Sequence, residues 1–117
     1  MNSKRKGNQG ERELLHLLES CGVEAHRNDQ RYAGGVDNPD ISARIGPVSV
    51  HVEVKRQERL ALPAALRQAK RDANGHALPV VVHRSNRQPW LVTVELESLL
   101  EVLGYDRLDH SCADGQP

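Results

Sequence analysis

Val48-Ser49-Val50-His51-Val52-Glu53-Val54-Lys55 alternates apolar and polar side chains along its whole length. On an extended backbone successive side chains point to opposite faces. Val48, Val50, Val52 and Val54 therefore make one apolar face, and Ser49, His51, Glu53 and Lys55 make the other. That is the pattern of a strand whose apolar face packs on a core. Gly46-Pro47 just before it reads as a turn, and Asp40–Ile45 before that as a short strand. If Ala43–Val50 forms a hairpin, Asp40, the first residue of one strand, can meet Glu53 and Lys55 on the other. Val23–Arg27 also alternates and adds a third strand to a meander.

Working outward, residues 1–7 read as a mobile basic arm and residues 8–104 as one domain. From about Asn8 to Cys21 the spacing is helical. Leu14, Leu17, Leu18 and Cys21 fall on one stripe, and Glu11, Leu15 and Leu18 on an adjoining one, with Gly22 as the stop. Asn28–Pro39 (NDQRYAGGVDNP) is rich in Gly, Asn and Asp and reads as a long mobile loop. Pro63 suits the first turn of a second helix, whose thin stripe of Ala65, Leu66, Ala69 and Ala73 ends near Gly75. The continuous valines of Pro79–Arg84 suit a strand covered on both faces. Trp90–Val94 alternates and should pair with it, and Glu95–Leu103 is a closing helix stopped by Gly104. Residues 105–117 form an acidic tail expected to fray. The order α-β-β-β-α-β-β-α makes an α/β domain, a mixed central sheet flanked by helices.

The composition agrees. A chain of 117 residues has room for one domain, and with 3% aromatics and no Phe its core must be built from Leu and Val. Sixteen basic and sixteen acidic residues cancel, which excludes a uniformly basic coat but not a local basic face. The last 17 residues, with Glu101, Asp106, Asp109 and Asp114 against Arg107, carry −3, so residues 1–100 carry +3. No apolar run approaches a membrane span, and the basic start lacks the apolar stretch of a signal peptide. Cys21 and Cys112 form no CxxC pair. A cytoplasmic protein with free thiols is the expectation.

The chemistry lies in Asp40, Glu53 and Lys55. Glu53 and Lys55, two apart on a strand, share a face that Asp40 can reach. Two converging carboxylates repel unless a cation sits between them, and oxygen-rich sites suit Mg²⁺ or Mn²⁺. A lysine beside such an ion can orient water or stabilise charge on a phosphate. These are the parts for metal-assisted phosphodiester hydrolysis. The bland alternative is a Glu/Lys pair on an exposed sheet face. Two features weigh against it: the sheet is already well supplied with valine on its other face, and Asp40 follows a Gly-rich loop of the kind that carries function.

With Lys6-Gly7, Glu11-Arg12-Glu13-Leu14, Arg27, the Gly-rich loop, Pro39-Asp40-Ile41 and Glu53-Val54-Lys55-Arg56 in place, the sequence resembles the PD-(D/E)XK nucleases over residues 4–95. Within them it is most similar to archaeal Holliday-junction resolvases and related small phage and bacterial endonucleases. The resemblance implies a restriction-endonuclease-like domain and a Mg²⁺-dependent DNA endonuclease, with Mn²⁺ able to substitute. It implies that Asp40, Glu53, the Val54 carbonyl and Glu11 serve the metal, and that Lys55 positions the attacking water. Gln68 matches, more weakly, a glutamine on the helix after the lysine.

Lys4, Arg5, Lys6, Arg27, Arg31 and Arg56 flank the site as candidate DNA contacts, and Arg27 can also brace the carboxylates. His51 shares the face of Glu53 and is a minor candidate for the site. The expected partners are branched or distorted DNA and a second copy of the chain, since paired incisions need two sites. The loop before Asp40 is longer than the archaeal resolvases would suggest, and carries Ala33-Gly34-Gly35 where a serine-bearing turn is usual. Nuclease chemistry is thus better supported than junction specificity. Nonspecific nicking, a restriction-like cut and phage DNA processing compete on the same site, and so does a catalytically silent DNA-binding module.

Overall fold

The computed structural model describes residues 3–28 and 40–105, with side chains from residue 9 onward. The elements are α1 (Ser3–Ser20), β1 (Glu24–Arg27), β2 (Asp40–Ile45), β3 (Val48–Arg56), α2 (Leu62–Ala73), β4 (Leu78–Arg84), β5 (Leu91–Thr93) and α3 (Leu96–Val102). This is the expected order. The strands form one sheet, β1-β2-β3-β4-β5, antiparallel except for the parallel pair β3–β4. Two consecutive parallel strands need a crossover, and α2 supplies it. Gly46 turns the β2–β3 hairpin with a positive φ of 60°, a conformation that glycine adopts without strain.

The alternation in β3 divides the molecule. On the side of α1, Val50, Val52 and Val54 pack with Ile41 of β2, Val80 and Val82 of β4 and Leu14 of α1, with Leu15, Leu18, Trp90 and Val94 at the margin. On the side of α2, Ala65 and Ala69 lie directly on Val81. Alanines leave no room for a second thick aliphatic layer, so α2 sits close to the sheet. Pro occupies the first turn of α2, and Asn74, in the left-handed conformation, ends it.

Two expectations are corrected. The first helix starts at Ser3 and not near Asn8, so Lys4, Arg5 and Lys6 belong to its first turns and are not an arm ahead of it. Lys, Arg and Gln are good helix formers, and no proline interrupts them, so the glycines at 7 and 10 do not stop the helix. Its inward stripe is also turned: Leu14 and Glu11 are buried, whereas Leu17 is 41% exposed and Cys21 is exposed. The loop assigned to Asn28–Pro39 and the acidic tail lie outside the described residues apart from Asn28 and Tyr105. Among the described residues, no helix is long and apolar enough to cross a membrane.

Candidate metal centre

Strand register brings the carboxylates together. Asp40, the first residue of β2, stands directly opposite Glu53, and Ser42 opposite His51. All four belong to the face under α2, because they alternate with Ile41, Val50, Val52 and Val54, which pack under α1. α2 brings a third acid to this face. Asp72 lies one helical turn beyond Gln68, and ligand atoms of Asp40, His51, Glu53 and Asp72 all fall within 4.8 Å of one another.

The cluster is dry at its base and open at one side. Glu53 is fully buried, Asp40 and His51 nearly so, and Asp72 is exposed. Burial pushes the Asp40 carboxyl up to about 6, and the charge of Glu53 adds to the rise. Burial likewise raises Glu53, against the opposing pull of His51. For His51 burial works against the charged ring, but contact with Glu53 and the charge of Asp40 outweigh it, and the net shift is upward. His51 Nε2 lies 3.5 Å from both Asp40 Oδ2 and Glu53 Oε2. Glu53 Oε1 is buried with no hydrogen-bond partner among the described residues. A buried carboxylate oxygen with nothing to bond is costly in a finished site, and a divalent cation is the partner that this set of oxygens fits.

Asn28 supports Asp40 from the side. Its backbone N–H donates to the Asp40 carbonyl (3.3 Å), its side chain hydrogen-bonds the Asp40 carboxylate, and its Oδ1 accepts from Ser42 Oγ (2.7 Å). The direction of the peptide groups also bears on Val54. Gln57 N–H donates to the Arg84 carbonyl of β4 (3.2 Å). Peptides alternate sides along a strand, so odd-numbered residues of β3 face β4 and even-numbered ones face β2. The Val54 carbonyl thus points to the β2 side one residue past the Asp40–Glu53 pair.

The remaining sequence-derived residues are placed as follows. Lys55 follows Glu53 on the same face, opposite His83 of β4, and its charge acts on Glu53. Glu11 is not among the four converging groups. It is buried beside Asp40 and paired with Arg27, and burial raises its pKa despite the guanidinium. Arg56 donates from Nε to Glu13 Oε1 (3.2 Å), so it is tied back to α1. Gln68 is half-buried on α2. The side chains of Lys4, Arg5 and Lys6, and all of Arg31, lie outside the described residues. Trp90 packs on the valine core with the Arg84 guanidinium 5.6 Å from its ring centre. Sequence reasoning missed Asp72 and Asn28. The i, i+4 spacing from Gln68 could have pointed to Asp72, whereas nothing local points to Asn28.

Comparison with known proteins agrees with this geometry. The chain is similar to Hjc, a Holliday junction resolvase from the archaeal hyperthermophile Archaeoglobus fulgidus, with a TM-score of 0.59 and 26% identity over 74% of this chain and 75% of that one. No curated protein matches. Residues 2–110 match the family described as phage putative PDDEXK endonuclease. With nearly the whole chain matched and the Asp40–Glu53 pair in register beside Lys55, this protein is a PD-(D/E)XK nuclease of Hjc-like fold and belongs to that phage endonuclease family.

Proposed function

We propose that this nuclease is a divalent-metal-dependent DNA endonuclease, with Mg²⁺ as its ordinary ion, that cuts branched or distorted DNA. The observation that carries the metal dependence is the buried Oε1 of Glu53, which has no hydrogen-bond partner among the described residues, directly across the sheet from Asp40. Branched DNA as substrate is supported by the likeness to the archaeal Holliday junction resolvase.

Asp40, Glu53 and the Val54 carbonyl would hold the cation, with Asn28 bracing Asp40. A cation there would supply Lewis acidity to the scissile phosphate and to an attacking water. Lys55 orients that water and neutralises charge growing on the phosphate oxygens. Water oxygen attacks phosphorus, the bond to the 3′ oxygen breaks, and the products are a 3′-hydroxyl and a 5′-phosphate. Arg27 pairs with Glu11 at the edge of the site and opposes the rise that burial gives its carboxyl. Lys4, Arg5, Lys6, Arg27, Arg31 and Arg56 are the candidate phosphate contacts, and two copies of the chain make paired cuts.

Glu53→Gln should lower cleavage on the order of 10³-fold or more while DNA binding survives. Full cleavage by that variant with metal present overturns the assignment. A panel of equal-length linear, flap, fork and four-way DNA tests the substrate, and equal rates on all four would remove the branched-DNA preference.

A further inference from the structure

His51 is the unusual member of the cluster. The nuclease reading needs two carboxylates, a carbonyl and a lysine, and assigns this ring no work. Yet His51 is 7% exposed and stands two residues before Glu53 on the same face of the same strand. Its Nε2 is buried with no hydrogen-bond partner among the described residues, although two carboxylate oxygens lie at an equal 3.5 Å. That separation is too long for a good hydrogen bond. It fits two ligands sharing one ion. Around an octahedral cation with bonds of ~2.1 Å, neighbouring ligand atoms stand about 3.0 Å apart and opposite ones about 4.2 Å apart. Asp72, exposed on α2, closes the group from the open side, all four within 4.8 Å, a spacing slightly wider than a bound set.

We propose that His51 Nε2 is a direct metal ligand, with Asp72 completing the set, and that this nitrogen makes the centre rank first-row transition ions above Mg²⁺. The inference rests on the metal-dependent reading of the same site and adds its affinity order; which ion is ordinarily used depends also on availability, which favours Mg²⁺. Mg²⁺ is a hard ion that takes oxygen and gains little from imidazole, whereas first-row transition ions accept nitrogen readily. A site with only Asp40, Glu53 and a carbonyl has no means of telling Mg²⁺ from Mn²⁺ apart from size. One imidazole in that set supplies a chemical difference.

The test uses Mn²⁺ alone, without DNA, added to the full chain. Pulsed electron paramagnetic resonance of the bound Mn²⁺ should show modulation from a directly coordinated ¹⁴N. His51→Gln should abolish that modulation and reduce Mn²⁺ affinity on the order of tenfold, with Mg²⁺ affinity nearly unchanged. Asp72→Asn should keep the nitrogen signal and weaken both ions. The wild-type spectrum needs no variant, so a folding failure of His51→Gln does not spoil the measurement. Mn²⁺ bound without a nitrogen signal overturns the role of His51 and leaves the metal-dependent nuclease standing. A nitrogen signal that persists in His51→Gln overturns it in the same way. If neither Mn²⁺ nor Mg²⁺ binds the wild-type chain, both readings fall together.

Discussion

The two faces of the sheet come from the same few residues and do opposite things. Under α1, Val50, Val52 and Val54 meet Ile41, Val80, Val82 and Leu14 in an aliphatic core, with the Glu11–Arg27 pair at its edge. Under α2, the intervening positions bury Glu53, His51 and Asp40 beside a thin layer of alanine. One face gains free energy by leaving water, and the other loses it. A residue step of one along β3 moves a side chain from the first regime to the second. Strand alternation therefore lets the fold carry an unfavourable site rigidly, because Glu53 is fixed by Val52 and Val54 on either side of it and Asp40 by the buried Ile41 that follows it.

The largest expected effect on stability is at Asp40. Its carboxyl is raised from an ordinary 3.8 to about 6, so folding favours the protonated form. That contribution is fully present below pH 4 and is lost as the pH rises through about 6. In EDTA at pH 8, Asp40→Asn should therefore be more stable than the wild type, by up to about 3 kcal/mol, and the gap should close toward pH 4. Urea unfolding across that range reads it, and equal stabilities at pH 8 would break the contrast between the faces.

A somewhat smaller effect of opposite sign is expected across the strand. Val52→Ala removes two buried methyl groups and should cost about 2–3 kcal/mol, with the cleavage rate per folded molecule unchanged. A loss of rate in this variant under stable conditions would show that the faces are not independent.

The smallest effect concerns the seating of α1. A β-carbon at Gly10 would come within 3.0 Å of the Arg56 β-carbon, and Arg56 is held by Glu13. The clash should outweigh the gain in helix propensity, so Gly10→Ala should destabilise by about 1 kcal/mol in thermal melts. A stabilised variant would mean that α1 is free to move over the valine face.

The strand that decides the fold was fully legible, because period-two alternation is a local property of eight residues. A hairpin over Ala43–Val50 was the condition for Asp40 to meet Glu53, and the observed register meets it, with β2 at Asp40–Ile45 as expected. Less legible was the rotation of α1. Two overlapping leucine stripes competed, and burial cut across both: it took Leu14 from one and Glu11 from the other, kept Leu15 and Leu18 at the margin, and left Leu17 and Cys21 exposed. Asp72 depends on how closely α2 approaches the sheet, which follows from alanines packed on Val81, a tertiary contact. Asn28 depends on the pairing of β1 with β2, a relation between segments that residues 29–39 separate in the sequence.

The single parallel pairing also orders events as the chain leaves the ribosome. β1, β2 and β3 are local and antiparallel, so Asp40 and Glu53 are made, and can pair, before the crossover exists. At that stage no alanine layer covers Glu53, and the two acids remain in water. α2 and β4 arrive afterwards, bringing the alanines and Asp72 on one side and Val80 and Val82 on the other. α2 is made before β4, but its alanines pack on Val81, so the layer over the acids closes together with the β3–β4 pairing that completes the valine face.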